Sequence, residues 1–475
     1  MLAVSGCFDS DETESGSQST RGAPRQERVG QQAPNVVMVL TDDQEPDSVR
    51  LMPEVLQNVG ATGVTFSNAY ASVPECCPSR VSLLTGQYAH NHGVISNSPP
   101  DGGYSAFGAD ANTLPVWLHD AGYRTGYVGK YLNGYGFEAL GNDPTDIPPG
   151  WSYWAALTRH TEYQMYGYTI NQNGSLDAYG DRPSDYQTDV LADKAAGFME
   201  RSARAGSPFY LTVAPLAPHD EGVLEDLDVP RNPRPAPRHE GRFASRGLPH
   251  GPAFDEADVS DKPRFVKSDP RLAEEELADL ERLYRSRAES LLAVDDMVRE
   301  LIATLRREGE LDDTLFVFTS DNGYLLGEHR QVGKKKVYEE SAGVPLAIRG
   351  PGFSGGASVE QPVSNVDLVA TIVEMTGVEP GLELDGVSLA PLARGESEAR
   401  PPVLIEVPTS GGFAAVRTRR FVLAEHEKGA TELFDLERDP AQLENVRQVS
   451  RYKPARTRLS RKLSELRECA GASCR

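Results

Sequence analysis

Residues 74–86 of this chain read Pro-Glu-Cys-Cys-Pro-Ser-Arg-Val-Ser-Leu-Leu-Thr-Gly. Proline is favourable in the first turn of a helix, so we expect a strand-to-helix turn with a helix that begins at Pro78. Arg80 then lies one helical turn after Cys76, on the same face of the helix. On their own, Cys76 and Cys77 could be small buried hydrophobic residues at this turn, because free cysteines pack well. The segment gains chemical meaning only from the residues that the rest of the chain places beside it.

Two pairs of oxygen-bearing side chains follow predicted buried strands. Asp42 and Asp43 come directly after the unbroken apolar run 36–40, and Asp321 and Asn322 end a second strand of this kind. Open α/β sheets bind ligands at the carboxyl ends of their strands. Either pair alone would more often be a turn or a helix cap. Together they suit Ca²⁺ or Mg²⁺, and without a histidine or second thiolate beside them zinc is not expected.

Three further polar residues lie in short, distinctive runs. Lys130 lies in Gly-Lys-Tyr-Leu-Asn at residues 129–133, His219 ends an apolar strand as Ala-Pro-His, and Lys334 opens a run of three lysines. By default a triple lysine is a solvated face, and a lone histidine at a strand end is more often structural than catalytic. If Arg80, Lys130 and Lys334 cluster, they create a local positive region on a chain of net charge -22.

Taken together, these runs resemble the type I sulfatases, which belong to the alkaline-phosphatase-like superfamily. Residues 74–86 match the signature Cys-x-Pro-Ser-Arg…Leu-Thr-Gly, whose first cysteine, here Cys76, is oxidised after translation to formylglycine. Residues 129–133 are similar to the N-acetylglucosamine-6-sulfatases and the extracellular heparan endosulfatases, and so are the runs 147–151, 167–174 and 186–189. Many sulfatases carry a histidine where this chain has Leu132, and Asn133 is the candidate to take over its role.

The resemblance implies a catalytic role for five residues. The hydrated aldehyde made from Cys76 is the nucleophile, and Arg80 steadies it. Lys130 and Lys334 bind the sulfate group. His219 either donates a proton to the leaving oxygen or binds the sulfate. Maturation of Cys76 implies a formylglycine-generating enzyme as a partner.

The resemblance also implies the metal ligands and further substrate contacts. The expected ligands of a Ca²⁺ ion, with Mg²⁺ as the alternative, are Asp42, Asp43, Cys76 in its modified form, Asp321 and Asn322. The candidates for substrate contact beyond the two lysines and His219 are Asn133, His92 and His329. For the two histidines, and for His90 beside them, packing inside the protein is an equally good interpretation.

The implied fold is the alkaline-phosphatase-like α/β fold. We expect a central mixed sheet flanked by helices in residues 33–395, followed by a small antiparallel-sheet subdomain in residues 396–475. The periodicity predicts a helix over 182–202 that is capped near Ser184 and Asp185, and a long helix over 270–308. The subdomain is predicted to contain strands at 403–407, 413–417 and 421–425, a turn at 432–440 and a basic helix at 453–467. Residues 220–268 lack periodicity and are predicted to form a loop over the active site.

The charge of the chain bears on its binding partners, and its cysteines bear on the cellular compartment in which it works. With 48 basic and 70 acidic residues, the chain is not expected to bind nucleic acid. Residues 1–32 are predicted to be a disordered tether, and Leu2–Cys7 resembles the end of a bacterial lipoprotein signal with Cys7 as the lipidated residue, unless the likeness is accidental. Cys469 and Cys474 are candidates for a disulfide, with two unpaired thiols or a metal site as alternatives. We therefore expect export, as a cell-surface lipoprotein with a membrane anchor, a periplasmic protein or a secreted one.

The predicted function is hydrolysis of sulfate monoesters, with a sulfated carbohydrate or an aryl sulfate as substrate. One alternative is a phosphonate or phosphate ester hydrolase that uses the same formylglycine, since phosphoryl and sulfuryl groups share tetrahedral geometry. The alternative of another class is an inactive surface protein that binds glycans. Purified protein with an unmodified Cys76 would favour that last interpretation.

Overall fold

The computed structural model describes residues 33–107, 111–223 and 226–475. The predicted tether at residues 1–32 and the predicted lipidation site, Cys7, lie outside these described residues. Within them, no helix is long and apolar enough to cross a lipid bilayer.

The described residues form strands and helices that alternate through most of the chain. The strands are β1 (Asn35–Thr41), β2 (Val64–Phe66), β3 (Ala69–Tyr70), β4 (Arg124–Gly129), β5 (Tyr153–Thr158), β6 (Thr169–Gln172), β7 (Ser175–Ala178), β8 (Phe209–Ala214), β9 (Glu221–Val223), β10 (Asp226–Arg231), β11 (Thr314–Ser320), β12 (Leu325–Leu326), β13 (Val332–Gly333), β14 (Gly343–Val344), β15 (Leu346–Arg349), β16 (Ala357–Val359), β17 (Val363–Ser364), β18 (Val403–Val407), β19 (Phe413–Arg417), β20 (Phe421–His426) and β21 (Thr431–Asp435). The helices are α1 (Pro53–Val55), α2 (Cys76–Thr85), α3 (Ala89–His92), α4 (Leu114–Asp120), α5 (Gln187–Arg204), α6 (Arg264–Lys267), α7 (Glu274–Glu308), α8 (Glu339–Ala342), α9 (Val366–Thr376), α10 (Ala390–Ala393) and α11 (Lys453–Leu466).

A mixed sheet forms the centre of the molecule. In the described part of the chain it has ten strands, in the order β16-β2-β15-β11-β1-β8-β4-β5-β6-β7. Five neighbouring strands, from β11 to β5, run parallel, so their carboxyl ends meet at one edge. Helices cover both faces: α5 and α7 pack on one, and α2, α4 and α9 lie on the other. This burial on both sides explains why β1 and β11 are unbroken apolar runs.

A smaller antiparallel sheet follows near the carboxyl terminus. Its strand order is β18-β19-β20-β21, and α11 packs against it through Leu459, Leu463 and Leu466. A disulfide joins Cys469 to Cys474 just after α11. The large mixed sheet and the small carboxyl-terminal antiparallel sheet are those expected for the predicted fold.

Five local predictions differ from the structure. Residues 431–435 form strand β21 instead of part of a turn, because Leu433 and Phe434 pack into hydrophobic clusters on opposite faces of the small sheet. Helix α5 begins at Gln187 without a side-chain cap, since the Asp185 carboxylate is already paired with Arg182. Helix α7 begins at Glu274, after the predicted start at 270.

Helix α2 begins at Cys76, two residues before the predicted start. Pro78 lies in its first turn, where the missing N–H group needs no partner. Within residues 220–268, β9 and β10 pair antiparallel and α6 forms one short helix, so this segment is less irregular than the sequence predicts.

Candidate active site

The parallel pairing of β1 and β11 brings the two predicted pairs of oxygen ligands together. Thr41 and Ser320 are partners at the ends of these strands, so the next residues of each strand are neighbours. The backbone N–H of Asp43 donates a hydrogen bond to Asp321 Oδ1 at 3.1 Å, and Asn322 Nδ2 donates to Asp43 Oδ1 at 2.7 Å. Asp43 adopts a left-handed backbone with φ 63°, which is uncommon outside glycine.

Two further parallel strands end at the same edge of the sheet. Lys130 directly follows β4, and His219 comes five residues after β8. Lys130 Nζ contacts Asp42 Oδ2, and His219 Nε2 lies 3.5 Å from Asp43 Oδ2. Four strand ends therefore supply a lysine, a histidine and two pairs of oxygen ligands to one site, as the rule for α/β sheets leads one to expect.

The first turn of α2 places Cys76 against these carboxylates. Cys76 Sγ lies 3.3 Å from Asp42 Oδ1 and 3.6 Å from Asp43 Oδ1, and its residue is only 1% exposed. One turn further, Arg80 Nε donates to Asp321 Oδ2 at 2.8 Å. Arg80 Nη2 lies 3.4 Å from Asp42 Oδ2 and has no hydrogen-bond partner. The predicted shared face of Cys76 and Arg80 is thus the face that meets the strand ends.

Of the three consecutive lysines, Lys334 is the one that enters the site. Its Nζ contacts Asp43 Oδ1 and lies 2.7 Å from Cys76 Sγ. Lys335 instead pairs with Glu75, and the Lys336 ammonium lies over the Phe265 ring. Lys334, the lysine of this run that the resemblance implied, is therefore the one that contacts Cys76.

Burial and charge act in opposite directions on the ionisable groups of the site. Burial alone would raise the pKa values of Asp42 and Asp43, but the nearby cations, above all Lys130 for Asp42 and Lys334 for Asp43, lower both pKa values overall. For Asp321, burial and then the charge of Asp42 raise the pKa. Three carboxylates, Asp42, Asp43 and Asp321, thus share this region with three cations, Arg80, Lys130 and Lys334.

The donor set fits a hard divalent cation. Asp42, Asp43, Cys76 and His219 have ligand atoms that all lie within 4.8 Å of one another, so the expectation that no histidine accompanies the carboxylates is wrong. Asn322 Oδ1 is buried and has no hydrogen-bond partner, so this amide oxygen is available to a metal ion. Carboxylate and amide oxygens are the ligands that Ca²⁺ and Mg²⁺ prefer.

The ring of His219 is oriented by its backbone. Nδ1 lies 2.7 Å from the carbonyl oxygen of Asp220, which can only accept a hydrogen bond. Nδ1 therefore carries a hydrogen in both the neutral and the charged ring, and the proton that can be gained or lost is on Nε2. This nitrogen faces Asp43 and the catalytic side of the site.

The remaining residues predicted to contact substrate lie in different surroundings. Asn133 lies beside the site, where its Nδ2 donates to Tyr163 Oη at 2.6 Å. Both ring nitrogens of His92 are engaged within the protein, by Ser82 and by the backbone of Val94, and burial lowers the pKa of His92 to about 3. These contacts favour the packing alternative for His92, and its contact with substrate stays a prediction.

His329 is also held away from Cys76 by its partners. Its Nδ1 lies 2.6 Å from Glu256 Oε2, and its ring stacks on Tyr338 with 4.0 Å between centroids. His90 pairs with Glu406 in the same manner, at 2.9 Å. These contacts favour a structural role for both histidines.

Two residues of the site were not predicted. Arg287 of α7 is buried, donates to the backbone oxygen of Asp43 and pairs with Glu45 at 2.8 Å, so it supports the loop that bears the carboxylates. Tyr163 has its ring 4.5 Å below Lys130 Nζ and 5.3 Å from the ring of His219. Arg287 could have been noticed as a charged residue on the apolar stripe of α7, but no sequence signal marked Tyr163.

Comparison with known proteins agrees with this geometry. The family model described as sulfatase matches residues 34–378, and the carboxyl-terminal model of N-sulphoglucosamine sulphohydrolase matches residues 327–469. An arylsulfatase of Volvox carteri is 33% identical over 93% of this chain and 76% of its own length. The human N-acetylglucosamine-6-sulfatase is 31% identical over 94% of this chain and 87% of its own length.

The fold also matches solved structures. One neighbour, determined in complex with its substrate D-glucosamine-2-N,6-O-disulfate, has a TM-score of 0.74 and covers 92% of this chain and 98% of its own. At 24% identity this likeness concerns the fold alone. The family model and the two relatives carry the assignment further: this chain belongs to the sulfatase family.

Proposed function

We propose that this sulfatase hydrolyses a sulfate ester of a sugar, with a formylglycine made from Cys76 as its nucleophile and Ca²⁺ as its metal ion. The observation that carries the proposal is the position of Cys76. Its sulfur lies between Asp42 and Asp43 on one side and the ammonium of Lys334, at 2.7 Å, on the other.

The cations of the site match a sulfate group. Lys130 and Lys334 supply two positive charges beside Cys76, and Arg80 offers the unpartnered Nη2. Positive groups already fixed in a buried site stabilise the charge of a bound sulfate without having to reorganise during the reaction. When charge develops on the leaving oxygen, His219 delivers the proton from Nε2 as the bond between sulfur and that oxygen breaks.

Some residues of the metal site would bind the ion, and others hold the ligands in position. Asp42, Asp43, Asp321 and Asn322 would hold Ca²⁺, or Mg²⁺, next to position 76. The bound ion supplies positive charge that acidifies the hydrated aldehyde and polarises the sulfate. Arg80 and Arg287 keep the carboxylates and their loop in place through Asp321 and the backbone of Asp43.

The substrate class follows from the relatives and from the surroundings of Lys130. The human relative is named N-acetylglucosamine-6-sulfatase, and residues 129–133, Gly-Lys-Tyr-Leu-Asn, form the run that resembles this group of sulfatases, with Asn133 beside the site. We therefore favour a sulfated amino sugar over a simple aryl sulfate. The Cys469–Cys474 disulfide supports an exported protein, because disulfides persist outside the reducing cytosol. Anchoring through Cys7 and maturation by a formylglycine-generating enzyme belong to the same proposal.

A substrate panel combined with a mass measurement tests the function. N-acetylglucosamine-6-sulfate should be hydrolysed, and p-nitrophenyl sulfate should be turned over faster than the corresponding phosphate and phosphonate. The peptide that contains residue 76 should carry the aldehyde in active protein. Active protein with only unmodified Cys76 would contradict the mechanism. Faster hydrolysis of the phosphonate than of the sulfate would instead indicate a phosphonate ester hydrolase.

A further inference from the structure

A group of unpartnered polar atoms lies next to the catalytic residues. The side chains of Asn133, His160, Glu162 and Tyr163, here called the Glu162 cluster, contribute four buried atoms without a hydrogen-bond partner: Asn133 Oδ1, His160 Nδ1, Glu162 Oε1 and Glu162 Oε2. Glu162 is only 3% exposed. Buried polar atoms in folded proteins are nearly always paired, so such a concentration needs an explanation.

Tyr163 connects this cluster to the proposed sulfate site. One side of its ring faces Lys130 Nζ at 4.5 Å, and the ring of His219 is 5.3 Å away. Its hydroxyl accepts the hydrogen bond from Asn133, and its ring centroid lies 5.8 Å from that of His160. Through Tyr163, the Glu162 cluster thus adjoins the lysine that is proposed to hold the sulfate.

Among the described residues, neither oxygen of Glu162 has a hydrogen-bond partner. His160 Nδ1 lies 3.7 Å from Glu162 Oε1, which is beyond hydrogen-bond distance. Leaving both oxygens of a buried carboxylate unpaired is expensive, and the expense is removed only when donors arrive from outside. The backbone bears strain at the same place, because Arg159 and His160 both adopt left-handed conformations, with φ 62° and 60°.

We propose that Glu162 is a specificity-determining residue that reads the substituents of the sugar, and this inference rests on the proposed sugar sulfatase function. Its two oxygens accept hydrogen bonds from hydroxyl or amide N–H groups of the sugar that bears the scissile sulfate. Asn133 Oδ1 offers a third acceptor in the same cluster. A set of acceptors that includes a carboxylate disfavours a second anionic group, because like charges in a desolvated site repel.

The test compares two sugars that differ at the amino group. We expect wild-type kcat/KM for N-acetylglucosamine-6-sulfate to exceed that for D-glucosamine-2-N,6-O-disulfate by roughly tenfold or more. Glu162→Gln keeps the shape and removes the charge, so it should reduce this ratio by roughly tenfold while p-nitrophenyl sulfate, which lacks the sugar, changes by less than about twofold. Asn133→Asp adds a carboxylate to the cluster and should raise the ratio.

A matched control separates the role of Glu162 from a general loss of charge. Glu138 lies in the same neighbourhood but is exposed and paired with Arg159 at 3.2 Å, so Glu138→Gln should keep the wild-type ratio. An unchanged ratio in both Glu162→Gln and Asn133→Asp would overturn the inference while leaving sugar sulfate hydrolysis intact. If wild-type protein hydrolyses p-nitrophenyl sulfate but neither sugar, the proposed substrate class fails, and this inference fails with it.

Discussion

Two groups of carboxylates in this molecule, one buried and one half-buried, have opposite surroundings. Asp42 and Asp43 are packed against Lys130, Lys334 and Arg80 at the end of the parallel strands. A second group, Glu328 and Glu340, lines a cleft of about 470 Å³ that also contains Glu45, Asp47 and Glu339. In the part of the chain that the structure describes, no ion pair involves Glu328 or Glu340.

The pKa values follow these surroundings. The cations lower the pKa values of Asp42 and Asp43 despite burial. Burial and the charge of Glu328 raise the pKa of Glu340 to about 8, and Oε2 of Glu340 has no hydrogen-bond partner. The same functional group, a carboxyl, thus has a lowered pKa in one place and a raised pKa in the other. The comparison indicates that nearby cations keep the first group ionised despite its burial, whereas Glu340, which has no such partner among the described residues, binds a proton more readily.

The largest expected effect separates Cys76 from its neighbour. Cys76 lies within the charged group, whereas Cys77 belongs to the hydrophobic core. Cys76→Ala should lower kcat by roughly 10⁴-fold or more, because it removes the nucleophile. Cys77→Ala should retain activity and lower the free energy of unfolding by about 1 kcal/mol, as for a small core truncation. Steady-state kinetics and chemical denaturation measure the two, and an active Cys76→Ala protein would contradict the proposed nucleophile.

Metal removal should affect only the group that is surrounded by cations. EDTA should lower kcat by roughly 10²–10⁴-fold, because the ion contributes several kcal/mol of charge stabilisation, and added Ca²⁺ should restore it. Thermal unfolding should respond as well: an ion present at 100 times its dissociation constant stabilises the folded state by about 2.7 kcal/mol. Asn322→Ala should require more Ca²⁺ for both effects.

Glu340→Gln is the matched control for this experiment. It removes a carboxylate from the other group and should leave the response to EDTA and Ca²⁺ as in the wild type. If chelation changes neither activity nor thermal stability, the aspartates at the strand ends are turn residues and bind no metal ion.

A smaller effect is expected from His219, and it depends on the leaving group. An acid matters most when the departing alkoxide is poorly stabilised, as for a sugar hydroxyl. His219→Ala should therefore lower kcat/KM for N-acetylglucosamine-6-sulfate by roughly 10²–10⁴-fold and that for p-nitrophenyl sulfate much less. Equal losses on both substrates would assign His219 to sulfate binding, and no loss on either would make it structural.

Much of the catalytic geometry could be predicted because it depends on strand ends. The apolar runs predicted two buried strands with oxygen ligands at their carboxyl ends, and the spacing within the motif predicted Cys76 and Arg80 on one helix face. The direct pairing of β1 with β11, which brings Asp42 to Asp321, is seen only in the structure. Contacts made by distant elements could not be predicted in this way. Arg287 reaches the site because α7 packs across the sheet.

Local patterns also misled where partners from elsewhere decided the outcome. His92 matches a family position, but its Nε2 is hydrogen-bonded to Ser82, which lies on the same helix as Cys76. The segment of β21 reads as a turn because of its charged residues, yet it pairs along its whole length with β20. Glu162 carried no sequence signal, since an acidic residue in a polar run is normally solvated.

The smallest expected effect concerns the cleft and the dependence of stability on pH. The folded state raises the pKa of Glu340 from its ordinary value of 4.5 to about 8, so between these values it binds more protons than the unfolded chain. The free energy of unfolding should therefore fall as the pH rises from about 5 to 8, by at most about 1.4 kcal/mol per pH unit from this residue. Glu340→Gln should flatten this part of the curve. Asp42 and Asp43, whose pKa values are lowered, lose their contribution only in acid below this window, so the difference between the wild-type and Glu340→Gln denaturation curves isolates the cleft. If the free energy of unfolding depends on pH in the same way in both proteins, the pKa of Glu340 is not raised. The two carboxylate groups would then differ in burial but not in the direction of a pKa shift.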